Sequence, residues 1–206
     1  HLIIRTVRLP RSLIAMFVGA ALAVSGAIMQ GITGNPLASP TLLGVTAGAS
    51  LAVVVTTFVL QGVGLSLYVW FAFLGAAATA VTVYFLGSRG RGGLTPVKLI
   101  LAGAALTAFL SSLTNGILII SQQTLDEIRF WLAGSLAGRD LELFWQVLPY
   151  FSLGLLLAFA LGRQLTMLSL GEDVAKGLGQ RTVLVKIMAA VSVVLLAGSS
   201  VAIAGP

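Results

Sequence analysis

The sequence has no cysteine, which removes disulfide frameworks, thiolate metal sites and cysteine nucleophiles. Its single histidine is the first residue, so no interior imidazole can serve as base, metal ligand or pH switch. Charge is scarce too. Only 9% of the 206 residues are Asp, Glu, Lys or Arg, against roughly 25% in a soluble domain, so the chain cannot clothe a water-facing surface. No G-x-x-x-x-G-K-[ST] pattern occurs, which excludes nucleotide binding through a P-loop in this stretch.

What is present is apolar: 58% of the residues are hydrophobic, and the mean hydropathy is +1.05. A membrane span needs about 20 mainly apolar residues. Six stretches qualify: Leu13–Ile32, Leu42–Leu60, Leu65–Leu86, Leu99–Ile120, Leu143–Leu161 and Val183–Ile203. Five carry no charge; the sixth holds Lys186 in its first turn, where the stem is expected to snorkel to the interface. No ten-residue alternating pattern suggests a barrel, and an open sheet cannot satisfy its backbone in lipid. The expected fold is therefore all-α, a polytopic transmembrane helical bundle. Small residues recur every four positions, as in Gly44, Gly48 and Ala52; Ala72, Ala76 and Ala80; and Ala104, Ala108 and Ser112. Such stripes let helix backbones approach closely in lipid, favouring a compact bundle.

All six acidic residues fall outside the expected spans. No intramembrane Asp, Glu or His is left to relay protons or coordinate an ion, so any driving energy is expected on another chain. The net charge of +6 sits in short loops between apolar runs, which reads as placement at membrane edges rather than nucleic-acid binding. One side collects Arg89, Arg91, Lys98, Arg163, Lys176, Arg181 and Lys186; the other holds Arg5, Arg8, Arg11, Arg129 and Arg139. The positive-inside rule places the first set in the cytoplasm.

Four connecting segments stand out. In Val7-Arg8-Leu9-Pro10-Arg11-Ser12, Pro10 is expected to block a helix ahead of it, and Ser12 to cap the first span. Arg8 and Arg11 suit either carboxylates of a partner protein or lipid headgroups. Gly34 to Pro40 carries two prolines four apart and no charge, which reads as a rigid turn, buried against protein or lining a passage. Ser169 and Glu172 have capping-box spacing, Asp173 favours the same helix end and Gly179 suits a stop. That predicts a helix of about nine residues at the cytoplasmic surface, resting on lipid or docked on protein. Phe130 to Leu136 is a fourth short apolar segment, re-entrant or interfacial.

With these segments in view, the chain strongly resembles the permease subunits of bacterial ABC importers for ferric siderophores, haem and vitamin B12, the iron-chelate uptake permease family. The matching motifs are Arg8-Leu9-Pro10-Arg11, Gly19 to Ala23, Gly26, Gln30, Asn35-Pro36-Leu37-Ala38-Ser39-Pro40, Leu43-Gly44-Val45, Leu101-Ala102-Gly103, Trp131 to Ser135, Leu168 to Gly171 with Ala175, Leu178 and Gly179, and Ala202 to Pro206. The resemblance implies a subunit of about ten helices. Against that pattern residues 1–206 read as one permease domain lacking the first helix and the last three. It also implies a second permease subunit, two cytoplasmic ATPase subunits, an extracytoplasmic substrate-binding protein and a lipid bilayer as partners, with no nucleic acid, no cofactor and no metal site on this chain.

By the same resemblance, Arg8 and Arg11 would dock the binding protein, and Asn35, Leu37, Pro96 and Val97 would belong to a cytoplasmic gate. Leu170, Gly171, Glu172, Asp173, Ala175, Leu178 and Gly179 would form the helix that sits in the ATPase cleft. The implied cargo is an iron(III)–siderophore chelate, with haem or vitamin B12 as alternatives. An ion-coupled secondary carrier is the rival from another class, and a structural membrane scaffold a third.

Overall fold

The computed structural model describes residues 4–60, 65–89, 95–136 and 141–206, and the backbone there is helical almost throughout. Arg91 and Arg139 lie outside the described residues, as do the side chains of Arg5 and Pro96. A five-residue π-helical turn, Ile4–Arg8, leads into α1, Leu9–Thr33. A 3-10 turn, Pro40–Leu43, precedes α2, Val45–Leu60. Then come α3, Leu65–Ser88; α4, Pro96–Ile120; α5, Gln122–Leu132; α6, Leu141–Ser169; α7, Glu172–Gly177; and α8, Thr182–Ala204.

Five of these helices, α1, α3, α4, α6 and α8, are long and apolar enough to cross a membrane, which makes the chain a multi-pass membrane protein. The second expected span differs. Gly44 adopts φ 66° and divides Leu42–Leu60 into the end of the 3-10 turn and a 16-residue helix. At 1.5 Å per residue α2 is about 24 Å long, short of the roughly 30 Å hydrocarbon layer. Leu42 lies on α4 at Gly103, in the second turn of that helix, where a Cβ would overlap the Leu42 carbonyl oxygen. The turn before α2 is therefore seated inside the bundle rather than at its rim.

Helix starts also depart from the sequence reading. Pro10 does not stop the chain ahead of it. It occupies the first turn of α1, where its missing N–H costs no hydrogen bond, and Ser12 lies inside the helix instead of capping it. Thr95 does cap α4, accepting from the Lys98 N–H, and Ser121 caps α5, accepting from the Thr124 N–H. The segment placed at Phe130 to Leu136 begins earlier, because α5 starts at Gln122; Phe130, Trp131 and Leu132 are its last turn.

α8 is the centre of the bundle and packs along α1, α2, α3 and α6. Its buried face runs from Ala189 to Ile203 and includes Val193 and Leu196 at zero exposure. Ser192 donates across to the Gly154 carbonyl of α6 at 2.8 Å. The stripes work unequally. Gly48 and Gly75 bring α2 and α3 together backbone to backbone: a Cβ at either would strike the other's carbonyl oxygen. Ala72, Ala76 and Ala80 are buried, and Ala76 faces α8 at Gly198. Ala104, Ala108 and Ser112, by contrast, are exposed along α4. That third stripe does not pack within this chain.

Candidate functional site

The topology gives the bundle two ends. Arg8 and Arg11 stand at the start of α1, at the same end as α5 and the end of α8. The Gly34–Leu43 segment, the start of α4 and all of α7 lie at the other end. Arg8 and Arg11 are both exposed, one turn apart, and among the described residues neither is paired with a carboxylate.

At the opposite end, Gly34 closes α1 at φ 62°. The chain then folds into an Asx turn, in which the Leu37 N–H donates to Asn35 Oδ1 at 2.9 Å and Gln30 Nε2 donates to the Pro36 carbonyl at 2.9 Å. Asn35 thus spends its side-chain oxygen holding the turn. Leu37 is 87% exposed and Val97, in the first turn of α4, is 64% exposed. The expectation of a buried turn therefore holds only for Ala38 within this chain. Pro96 contributes the first residue of α4.

α7 is shorter than expected, six residues, and it lacks the capping box. Ser169 is still the last residue of α6 and donates to the Thr166 carbonyl, while Gly171 stands at the helix start with φ 120°. The stop is as expected: Gly179 has φ 80°, its N–H donates to the Lys176 carbonyl, and the Gln180 N–H donates to that of Ala175. Leu170, Val174 and Leu178 recur at four-residue spacing and are exposed, with Gly171, Asp173 and Gly179 exposed beside them. Ala175 is fully buried, so it seats the helix rather than belonging to an outer face.

Glu172 turns the other way. Its Oε2 accepts from Lys186 Nζ at 2.6 Å, and its Oε1 faces Lys176 Nζ at 3.2 Å and accepts from Thr182 Oγ1 at 3.3 Å. The hydrogen bond from Lys186 holds the Glu172 carboxyl below the usual carboxylate range, against the opposing effect of partial burial. Lys186 is 7% exposed, its ammonium covered by the Glu172 carboxylate of α7.

Between the two ends, α2 and α4 enclose one side of a cavity of about 510 Å³ that the sequence reading did not find. Thr46 and Ser50 from α2 and Thr107, Ser111, Thr114 and Asn115 from α4 line it, with Thr41 at the turn and Leu132 and Pro206 toward α5. Thr107 Oγ1 is buried there without a hydrogen-bond partner among the described residues. The signal was available as hydroxyls at three- and four-residue spacing along one face of α4, a face already marked as small by the stripe beside it. Among the described residues no group of three or more His, Cys, Asp or Glu is placed to hold a metal ion.

The chain is a multi-pass helical bundle with a hydroxyl-lined groove between a seated turn and a short helix. Residues 1–206 match the FecCD transport family, and the chain belongs to it. It is 53% identical over 206 residues to the Bacillus subtilis "Probable siderophore transport system permease protein YfiZ", covering 100% of this chain and 62% of that one. It is 42% identical to the Escherichia coli "Ferric enterobactin transport system permease protein FepD", covering 99% and 61%. A solved inward-facing transporter, ascribed to the metal-chelate ABC type, superposes with a TM-score of 0.88 at 32% identity, over 99% of this chain and 65% of that one. The chain thus spans about three fifths of the length of the curated relatives it matches.

Proposed function

We propose that this chain belongs to the permease subunit of an ATP-driven importer, and that its groove is part of the passage for an iron(III)–siderophore type chelate handed over by a substrate-binding protein. One observation carries the reading: the end-to-end match, 53% and 42% identical, is to proteins named as siderophore and ferric enterobactin permeases. The hydroxyl-lined cavity supports it, since a polar chelate crossing lipid needs neutral hydrogen-bonding walls that do not hold it fast. In this reading the protein sits in the bacterial cell (inner) membrane with α7 in the cytoplasm. A second permease subunit completes the passage across the exposed face of α4, and two ATPase subunits receive α7.

ATP hydrolysis resides on those partners; this chain supplies no catalytic residue. Closure of the ATPase pair pushes on α7, the bundle rocks, and the groove opens to one side and then the other. The gate consists of the Asn35–Leu37 turn and the Pro96–Val97 start of α4, which meet across the passage when it closes.

The test is uptake by proteoliposomes holding the full permease, its ATPase and its binding protein. Ferric siderophore is expected to accumulate only with internal ATP. Accumulation driven by an ion gradient, with the permease alone, overturns the proposal. Arg8→Glu combined with Arg11→Glu places two carboxylates where the binding protein's acids would dock. The dissociation constant for that protein is expected to rise by at least about tenfold, and an unchanged constant assigns both arginines to lipid headgroups.

A further inference from the structure

Lys186 is, among the described residues, the only charged side chain that is buried. An ammonium held in a helix bundle is tolerated only when paired and hydrogen-bonded, and here the pair reaches across a boundary: Lys186 belongs to α8, its carboxylate to α7. The backbone joins α7 to its neighbours through glycines on both sides. Gly171 at φ 120° separates it from α6, and Gly179 at φ 80° separates it from α8. No helix therefore runs continuously from α6 through α7 into α8. The connection after α7 is tied to α6 through Gln180 Nε2, which donates to the Gln164 carbonyl at 3.0 Å. The side-chain tie of α7 itself to α8 is Glu172, whose two oxygens meet Lys186 and Thr182.

Below the ammonium, Lys186 lines a small cavity together with Leu43 of the seated turn, Leu99 of α4, and Met29, Tyr84 and Ala190. Lys186 thus pairs with α7 and shares a small cavity with Leu43 of the turn.

We propose that the Glu172–Lys186 ion pair is the joint that passes displacement of α7 into α8 and toward the Pro40–Leu43 turn, so that Lys186 is a positioning residue for coupling. This rests on the reading of α7 as the ATPase-docking helix. The joint is a direct side-chain contact between two helices that are not continuous through the backbone.

The experiment uses the full transporter in proteoliposomes and reads ferric siderophore imported per ATP hydrolysed. With Lys186→Met that ratio is expected to fall about fivefold or more, while Lys186→Arg, which keeps the pair, retains it. Should Lys186→Met fail to assemble, the double variant Glu172→Gln with Lys186→Met removes both partners together. It leaves no unpaired buried charge and is expected to fold and show the same fall. A wild-type ratio in Lys186→Met or in the double variant overturns the joint.

A thiol at Val174→Cys, in a stretch that has no cysteine of its own, reports docking separately. It is expected to cross-link to an ATPase cysteine placed in the receiving cleft, in wild type and Lys186→Met alike. Absence of the cross-link in both overturns the docking reading itself.

Discussion

Alanine in place of Gly103 is expected to cost about 3 kcal/mol, the upper range for forcing an extra carbon into a packed core, and to lower the melting temperature of the detergent-solubilised full permease by roughly 4–7 °C. The reason is specific to this position. The added Cβ meets the carbonyl oxygen of Leu42, a backbone atom that cannot rotate away as the end of a side chain can. Relief requires the Pro40–Leu43 turn to lift off α4. That turn carries Gly44 at φ 66° into the start of α2, and Gly44 itself sits against Thr79 and Thr107, so the displacement spreads to the α2–α3 crossing. Gly116→Ala is the matched control on the same helix. No neighbouring atom lies within 4 Å of its would-be Cβ, and the change is expected to stay within about 1 kcal/mol, on the stabilising side through helix propensity. Equal melting temperatures for the two variants would show that the turn does not rest on α4.

That contrast also marks what hydropathy can and cannot display. The apolar runs located the membrane helices because lipid imposes the requirement residue by residue. Where α2 begins is another matter. Leu42 and Leu43 are as apolar as the residues after them, and the break at Gly44 reflects a close approach to α4 that no local pattern encodes. The small-residue stripes were visible as stripes, but not with partners. Two face α3 and α8, whereas Ala104, Ala108 and Ser112 face away from the chain.

Capping signals misled for a related reason. Ser169 and Glu172 have capping-box spacing, yet α6 continues through Ser169, and the Glu172 carboxylate is drawn to Lys186, fourteen residues on. A charge fourteen residues away does not enter a four-residue rule. Lys186 read as an interfacial lysine by position alone; its burial became intelligible only once α7 was folded back above it. The groove was the opposite case, legible at helical spacing in Thr107, Ser111, Thr114 and Asn115. Single hydroxyls in an apolar run are commonly absorbed by the carbonyl one turn back, as Thr114 does with Leu110, and so attract no notice.

Val174→Asp together with Leu178→Asp is expected to separate assembly from folding. Both side chains lie outside the bundle, 49% and 64% exposed, and neither contributes to the ties that hold α7, which run through Glu172 and the fully buried Ala175. The bundle should therefore keep its stability within the roughly ±0.5 kcal/mol usual for surface changes. The apolar stripe they form with Leu170 is what a partner cleft would bury, and anchors of this kind are each worth about 2 kcal/mol or more. Placing a carboxylate in such a cleft adds a desolvation cost. The expected result is at least a roughly thirtyfold loss in affinity for the ATPase subunit, read as loss of the copurifying ATPase, with uptake falling in parallel. Gly177→Ala, on the same helix and with no atom within 4 Å of its would-be Cβ, should leave both unchanged. If the double aspartate variant instead copurifies with its ATPase and transports normally, α7 does not dock there, and its exposed leucines and valine rest on lipid. If it melts early, the stripe belongs to the fold, and the docking face must be sought on Asp173 and the glycines beside it.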